Sequence, residues 1–178
     1  MYKSIFVFLL FLIPVFLSGQ ANRKDSLWLI LRPFVGEWTG EGSGVPGKGR
    51  YERSYQFTLN KNFIEIKNKS TYPPTDKNPK GEVHEDVGFF SYDRSLKKFK
   101  LRQFHIEGFV NEFTLDSISA DNKTLVFRSY AIENTPAGWQ AKETYRIINQ
   151  DELEEVFELA APAKEFEVYT KVNLIRQK

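Results

Sequence analysis

Two histidines and two polar neighbours have the spacing of a small binding site. His84 and Asp86 are two residues apart, as are Gln103 and His105. Residues two apart in a strand share a face, and directly opposed residues in an antiparallel pair lie about 4.5–5.5 Å apart. If residues 93–96 form the loop of a hairpin, Asp86 pairs with Gln103 and His84 pairs with His105. This register predicts that the only two histidines of the chain face each other on the inner side of a sheet.

Three interpretations of this cluster stand open. The two imidazoles and the carboxylate could ligate a metal ion or haem iron, or they could hold the polar end of an apolar ligand. They could also form a buried hydrogen-bonded cluster that fixes the strand register. A hydrolytic site is not supported, because no nucleophile with a plausible base is identifiable. We therefore assign no catalytic residue and no metal ligand, and we expect the protein not to be an enzyme.

A further acid has the spacing of an inward-facing group. Glu143 shares a strand face with Trp139, Tyr145 and Ile147, which are residue types that pack in a core. Either Glu143 points into the fold with them, or the strand is bulged there and the carboxylate is solvated. Both alternatives remain open at the level of the sequence.

The elements that position these residues are almost all strands. Only residues 26–32 have a helical pattern, which Pro33 is expected to end. After Gly36 the hydrophobicity alternates with a period of two and breaks at turn residues. The pattern predicts ten strands at about 35–43, 49–60, 62–72, 81–92, 97–106, 108–118, 123–132, 138–148, 152–160 and 165–176.

These strands favour an all-β fold, an up-and-down antiparallel β-barrel of about ten strands with a short N-terminal helix. Closure removes the exposed sheet edges, and a barrel of this size leaves room for a ligand cavity. In the fifth strand the alternation places Phe99 and Leu101 inward, together with Gln103 and His105. The basic residues between them, Lys98, Lys100 and Arg102, are expected in solvent.

The N-terminus has the layout of a cleaved signal peptide. Lys3 precedes an apolar run at 5–17, and small or polar residues follow at 18–21. We predict a signal peptide over residues 1–20 and a single barrel domain over 21–178, in a periplasmic or secreted protein that is not integral to a membrane. The whole chain has 25 basic and 23 acidic residues and no cysteine, which gives no indication of a nucleic-acid partner.

Two short motifs carry a resemblance to a known family. The segment 36–44 has the pattern Gly-x-Trp-x-Gly-x-Gly around Trp38, and 84–89 has the pattern His-x-Asp-x-Gly. The first pattern resembles the entrance strand of the calycins, the lipocalins and fatty-acid-binding proteins. Together the two motifs resemble the nitrobindin-like haem-binding β-barrels, in which the acidic place of the second motif is Glu and is here Asp86.

The resemblance implies roles for four more residues. It implies that Trp38 closes the bottom of the barrel, where we count it with the ligand-contacting residues. In haem-binding members a histidine of the last strand ligates the iron; here the position falls near Val168 or Tyr169, and Tyr169 is the substitute cofactor ligand. Fatty-acid-binding relatives clamp a carboxylate with an interior Arg and a Tyr, which Arg53 and Tyr55 would supply; alternatively Arg53 lies at the rim and Tyr55 in the core.

Three functions follow as hypotheses. The first is a binding barrel of the cell envelope for a small hydrophobic or amphipathic ligand, oriented by His84, Gln103 and His105. The second is a haem protein of nitrobindin type that acts on nitrogen oxides with a substitute axial ligand, so that haem is a cofactor to be tested. The third is a structural or interaction barrel that is filled by its own side chains.

Overall fold

The alternating sequence after Val35 forms a closed barrel. The computed structural model describes residues 25–76 and 78–178; the predicted signal peptide lies outside them. The ten strands are β1 (Gly36–Gly44), β2 (Gly49–Thr58), β3 (Phe63–Tyr72), β4 (Glu82–Asp93), β5 (Lys98–His105), β6 (Val110–Ile118), β7 (Thr124–Glu133), β8 (Gln140–Asn149), β9 (Glu152–Ala160) and β10 (Glu167–Arg176).

Each strand pairs with its sequence neighbour, and β1 also pairs with β10, so that the sheet closes without a free edge. All pairings are antiparallel. The predicted fold class is therefore confirmed, and the predicted strand ends lie within two residues of the observed ones.

The N-terminal helix differs from the prediction. Residues 25–27 are α-helical, turns follow at 28–31, and a 3₁₀ helix spans Arg32–Phe34. Pro33 lies inside this 3₁₀ helix and does not end the helical segment, because a proline is tolerated in the first turn, where its missing N–H has no partner to bond. Trp28, Leu31 and Phe34 are buried, so the segment plugs one end of the barrel.

Aromatic side chains fill the plugged end. The Phe34 ring packs against Tyr55, Phe90 and Tyr145, with ring centroids 5.8, 6.1 and 5.2 Å away. Phe90 in turn packs against Phe127 at 5.4 Å. All five residues are buried. This end of the barrel is therefore a packed core, and free space is left to the other end.

The faces of β5 follow the predicted alternation with one correction. Phe99, Leu101 and Gln103 are buried inside, as expected. Lys100 is on the outer face but is 8% exposed, which contradicts the expected solvation. Its Nζ lies 3.9 Å from the centroid of the Tyr130 ring and donates a 2.8 Å hydrogen bond to the Thr114 hydroxyl. Such packing covers the stem of a long cationic side chain.

Among the described residues, no helix has the length and apolar character that crossing a membrane requires.

Candidate functional site

A cavity of about 570 Å³ occupies the half of the barrel opposite the N-terminal plug. The cavity opens at the end of the barrel where the loops after β1, β3, β5, β7 and β9 connect the strands. Its apolar wall is made by Phe109, Ile132, Trp139, Phe157, Leu159 and Val172. A mostly apolar cavity with a few convergent polar groups is the usual form of a small-molecule site.

The two histidines meet at this cavity, although their predicted register is wrong by two residues. Asp86 pairs with His105, and Gln103 pairs with Gly88. An even shift keeps every side chain on its face, so His84 and His105 still approach each other diagonally. His105 Nδ1 lies 3.2 Å from His84 Nε2, and both rings line the cavity.

Each member of this cluster also has a partner on its other side. His84 Nδ1 lies 2.7 Å from a carboxylate oxygen of Glu107. His105 Nε2 lies 3.1 Å from Asn111 Nδ2, and Asp86 Oδ1 accepts a 2.9 Å hydrogen bond from Asn68 Nδ2. The cluster is therefore held on both sides by groups from β3, β6 and the loop after β5.

Burial changes the titration of two members. Burial lowers the pKa of His105 to about 4, assisted by the neighbouring His84. Burial raises the pKa of Asp86 to about 6, against the opposing effects of Arg53, His84 and the hydrogen bond from Asn68. At neutral pH His105 is thus uncharged and Asp86 is mainly ionised.

Arg53 and Tyr55 are both buried, and Arg53 does not lie at the rim. Arg53 Nε donates a 3.0 Å hydrogen bond to Glu155 Oε2, and the Tyr55 hydroxyl donates a 2.7 Å hydrogen bond to Glu155 Oε1. Burial lowers the pKa of Arg53, but the charges of Glu155, Tyr55 and Asp86 together with the hydrogen bond to Glu155 outweigh it and raise the pKa, so the guanidinium stays protonated. Arg53 and Tyr55 therefore form the predicted carboxylate clamp, but the carboxylate that they hold is the side chain of Glu155. Arg53 lines the cavity, and Tyr55 lies in the packed core beneath.

Glu143 points inward and is 7% exposed. The sequence allowed either an inward-facing acid or a solvated one on a bulged strand, and the inward-facing acid is observed. No hydrogen bond or ion pair joins its carboxyl group to another residue in the described part of the chain, although it lines the cavity. Burial raises the pKa of Glu143 well above its usual range, and the negative charge of Glu155 raises it further. Burial therefore favours the neutral carboxyl over the carboxylate, and the neutral form is a hydrogen-bond donor.

Two more polar groups at the cavity lack partners. Gln103 is 6% exposed and lines the cavity, and its amide makes no hydrogen bond to another described residue. Asn68 also lines the cavity, and its Oδ1 is buried without a partner. Buried polar groups are rarely left unpaired. The Gln103 amide, Asn68 Oδ1 and the Glu143 carboxyl are therefore polar groups with which a bound molecule can form hydrogen bonds.

Trp38 and Tyr169 have different positions. Trp38 is buried at the plugged end, where its Nε1 donates a 2.7 Å hydrogen bond to the Phe34 carbonyl oxygen, and it does not line the cavity. Tyr169 does line it, because a β-bulge between Val168 and Thr170 turns the tyrosine toward the cavity. Burial raises the pKa of Tyr169, so its phenol stays protonated at neutral pH.

Four polar residues of the site were missed by the sequence reasoning: Asn68, Glu107, Asn111 and Glu155. Glu155 lies between Leu153 and Phe157, and the same alternation that turns those two inward turns it inward. Asn111 precedes the buried Phe113 by two residues and carried the same signal. Glu107 lies in a loop, where no periodicity indicates its direction.

The sequence matches the family model of the THAP4-like, heme-binding beta-barrel domain over residues 28–176. The chain belongs to this family. The match spans all ten strands, and it confirms the nitrobindin-like resemblance seen in the two motifs. A family of this kind and a cavity inside the barrel make the protein a ligand-binding barrel. No curated protein matches the sequence.

Solved structures share the fold. Rv2717c from M. tuberculosis has a TM-score of 0.61 at 18% identity and covers 85% of this chain and 98% of its own. The S-type phycobiliprotein lyase CPES from Guillardia theta has a TM-score of 0.49 at 11% identity, and the match covers 88% of this chain and 93% of the lyase chain. A de novo designed fluorescence-activating beta barrel has a TM-score of 0.40 at 17% identity, and the match covers 82% of this chain and 95% of the designed chain. The first match establishes the fold alone, and the TM-scores of the other two are too low to support an argument.

Proposed function

We propose that the protein is a binding module that holds a small, uncharged amphipathic molecule in the barrel cavity. The apolar part of the molecule packs against wall residues such as Phe157 and Leu159, and its polar end bonds to Glu143 and Gln103. The observation that carries the proposal is the unpaired carboxyl of Glu143, which is buried in the cavity lining without a partner among the described residues.

The charges around the cavity favour an uncharged polar end. The positive charge of Arg53 is already met by Glu155 at 3.0 Å, and Asp86 adds a buried carboxylate to the lining. An anionic head would therefore find no unpaired cation in the cavity lining. The raised pKa of Glu143 favours its neutral form, which donates a hydrogen bond that an alcohol, carbonyl or amide oxygen accepts.

The proposal is binding without catalysis, in the cell envelope. It is supported by the engagement of the only two histidines with each other, with Glu107 and with Asn111, which leaves neither imidazole beside a nucleophile. The envelope location is supported by the signal-peptide pattern of residues 1–20. A barrel filled by its own side chains would have supported a structural role, whereas this barrel has a cavity.

Haem is the second candidate, because the family is named for it and because His84, His105 and Tyr169 line the cavity. Tyr169 does not fit as the axial ligand, because burial raises the pKa of its phenol, whereas a tyrosine that holds ferric haem binds the iron through its oxygen. The two imidazoles are bonded to each other, to Glu107 and to Asn111, so an axial histidine would break one of these bonds. The porphyrin ring offers no hydrogen-bond partner to Glu143 and Gln103, which favours a smaller amphipathic ligand.

The first test is displacement of the neutral dye N-phenyl-1-naphthylamine from the purified protein by decanol and by decanoic acid. We expect decanol to displace the dye more effectively than the acid of equal chain length. Glu143→Met should weaken decanol binding about three- to tenfold, the effect of one lost hydrogen bond. Glu143→Gln should retain it, because the amide still donates.

Glu152→Gln, at an exposed position at the plugged end of β9, is the matched control and should bind decanol like the unaltered protein. Equal affinity of Glu143→Met would remove the polar-end assignment, and tighter binding of decanoic acid would overturn the uncharged head. A haemin titration completes the test. A saturable Soret shift at one equivalent would replace the proposal with the haem alternative.

A further inference from the structure

Three ligand-type atoms converge at the mouth of the cavity. His84 Nε2 lies 3.2 Å from His105 Nδ1 and 3.8 Å from Asp86 Oδ2. Each of the three residues offers one ligand atom that lies within 4.8 Å of a ligand atom of the other two. A tetrahedral ion with bonds of about 2.0–2.2 Å separates its ligand atoms by roughly 3.3–3.5 Å. The cluster therefore has nearly the size that such an ion requires.

The outer atoms of the same three residues are already bonded. Glu107 holds His84 Nδ1, Asn111 holds His105 Nε2, and Asn68 holds Asp86 Oδ1. Metal-binding imidazoles normally donate the N–H that does not bind the ion; Glu107 is such an acceptor for His84, and the Asn111 amide would present its oxygen to His105 after a half-turn. In this cluster each ligand has one oriented outer atom and one inner atom that faces the other two ligands.

The carboxylate supplies the observation that a hydrogen-bonded cluster does not explain. The Asp86 side chain is 6% exposed, and its Oδ2 has no hydrogen bond to another described residue. The nearest ionisable partner of this oxygen is His84 Nε2 at 3.8 Å, which is too far for a hydrogen bond. A carboxylate oxygen without a hydrogen-bond partner, on a mostly buried side chain beside an imidazole nitrogen, is a position where a cation is stabilised.

From this geometry we propose that His84, Asp86 and His105 bind one divalent first-row transition-metal ion of the Zn²⁺ class. Two imidazoles and one carboxylate fill three positions of a tetrahedral ion, and the fourth faces the cavity. Imidazole and carboxylate donors suit such ions. Glu143 and Gln103 line the same cavity but are not among the proposed ligands, so the metal site does not depend on the proposed function.

Metal binding requires no change in the number of protons on His105. In the metal-free cluster the Nδ1–H of His105 donates to His84 Nε2, and Asn111 donates to His105 Nε2. With the ion bound, the proton of His105 moves to Nε2 and donates to Asn111 Oδ1 after a half-turn of the amide. The His84 Nδ1–H bond to Glu107 is unchanged. Phe109, stacked on the His105 ring at 4.1 Å, keeps the imidazole plane in place in both states.

The test is a titration of the tag-free protein with Zn²⁺ by calorimetry, and with Co²⁺ by absorption spectroscopy. We expect one saturable site, with Co²⁺ bands of a tetrahedral nitrogen–oxygen complex. His84→Ala or His105→Ala should weaken Zn²⁺ binding at least about 100-fold. The near-isosteric Asp86→Asn and Glu107→Gln should weaken it about 10- to 100-fold. The chain has no cysteine and no third histidine to compete for the ion.

Asp116→Asn, an exposed position of β6, is the matched control and should bind Zn²⁺ like the unaltered protein. Imidazole nitrogen NMR adds a readout that needs no variant, because both histidine signals should shift together at one equivalent. The proposal is overturned if Zn²⁺ shows no saturable binding, or if Asp86→Asn and His105→Ala bind it as tightly as Asp116→Asn. Dye displacement by decanol is measured without metal, so failure of one test leaves the other intact.

Discussion

Two inward-facing acids in neighbouring strands differ in the partners that they find. Glu155 is bonded to Arg53 and Tyr55, so its charge is compensated. Glu143, one strand away on β8, has no such partner in the described residues. Taking an isolated carboxylate out of water is unfavourable, and burial therefore raises the pKa of Glu143. The same residue type is thus bonded to a cation in one place and shifted toward its neutral form in the other.

Glu143 should make the stability of the protein depend on pH. Its pKa in the folded state lies above the usual 4.5, so the folded state holds the proton more tightly than the unfolded chain. This contribution is fully present below about pH 4.5 and is lost as the pH rises through the folded-state pKa. In Glu143→Gln the loss is absent.

The measurement is urea unfolding of both proteins between about pH 4 and pH 8. The variant should gain free energy of unfolding over the unaltered protein as the pH rises. The gain is about 1.4 kcal/mol for each pH unit between the two pKa values. A difference between the two proteins that does not change with pH would show that Glu143 is ionised in the folded state.

At the scale of elements, the contact between β1 and β10 closes the barrel. Gly40 and Gly44 lie where β1 passes closest to β10. A Cβ atom on Gly40 would overlap the Asn173 carbonyl oxygen, and one on Gly44 would overlap that of Tyr169. The glycine pattern of β1 is thus required by close approach of two backbones. The bulge that turns Tyr169 toward the cavity lies on the same seam.

Gly40→Ala should therefore destabilise the barrel. The added methyl group forces the two strands apart, and overpacking of this kind costs about 1–3 kcal/mol. Urea unfolding gives the loss directly. Ser43→Ala, an exposed position on the same strand, serves as control and should stay within about 0.5 kcal/mol of the unaltered protein. Equal stability of the two variants would mean that the seam tolerates a side chain.

At the scale of the whole molecule, Arg176 connects the last strand to the N-terminal plug. Its guanidinium donates hydrogen bonds of 2.7 Å to the Val35 carbonyl oxygen, 2.6 Å to that of Pro33 and 2.8 Å to that of Gln150. It also stacks on Trp38 at 4.1 Å. The last strand and the N-terminal plug therefore meet at the filled half of the barrel, away from the cavity.

Arg176→Gln should lower the free energy of unfolding by at least about 2 kcal/mol, because several charge-assisted hydrogen bonds are lost together. The affinity for N-phenyl-1-naphthylamine should be unchanged, since the cavity lies in the other half. Thermal or urea unfolding and a dye titration measure the two effects. Lys178→Gln, at an exposed terminal position, is the control. A loss of dye affinity without a loss of stability would contradict the division of the barrel into a filled half and a binding half.

The local pattern of the sequence determined the elements and their faces. A period of two depends only on neighbouring residues, so it predicted ten strands and the inward direction of His84, Gln103 and His105, whereas it left two alternatives open for Glu143. The predicted faces were correct although the predicted β4–β5 register was wrong by two residues, because an even shift leaves each side chain on the same face. The burial of Lys100 was not predictable in this way, since it depends on Tyr130 from a distant strand.

The tertiary structure alone decided which inward groups meet and where space remains. Arg53 and Glu155 are 102 residues apart in the chain, and their contact across the barrel depends on the closure of all ten strands. The cavity is confined to one half because the N-terminal segment places Phe34 in the other. Glu143 and Gln103 are left unpaired by the same closure, because the tilt and stagger of a closed barrel set which side chains come within reach.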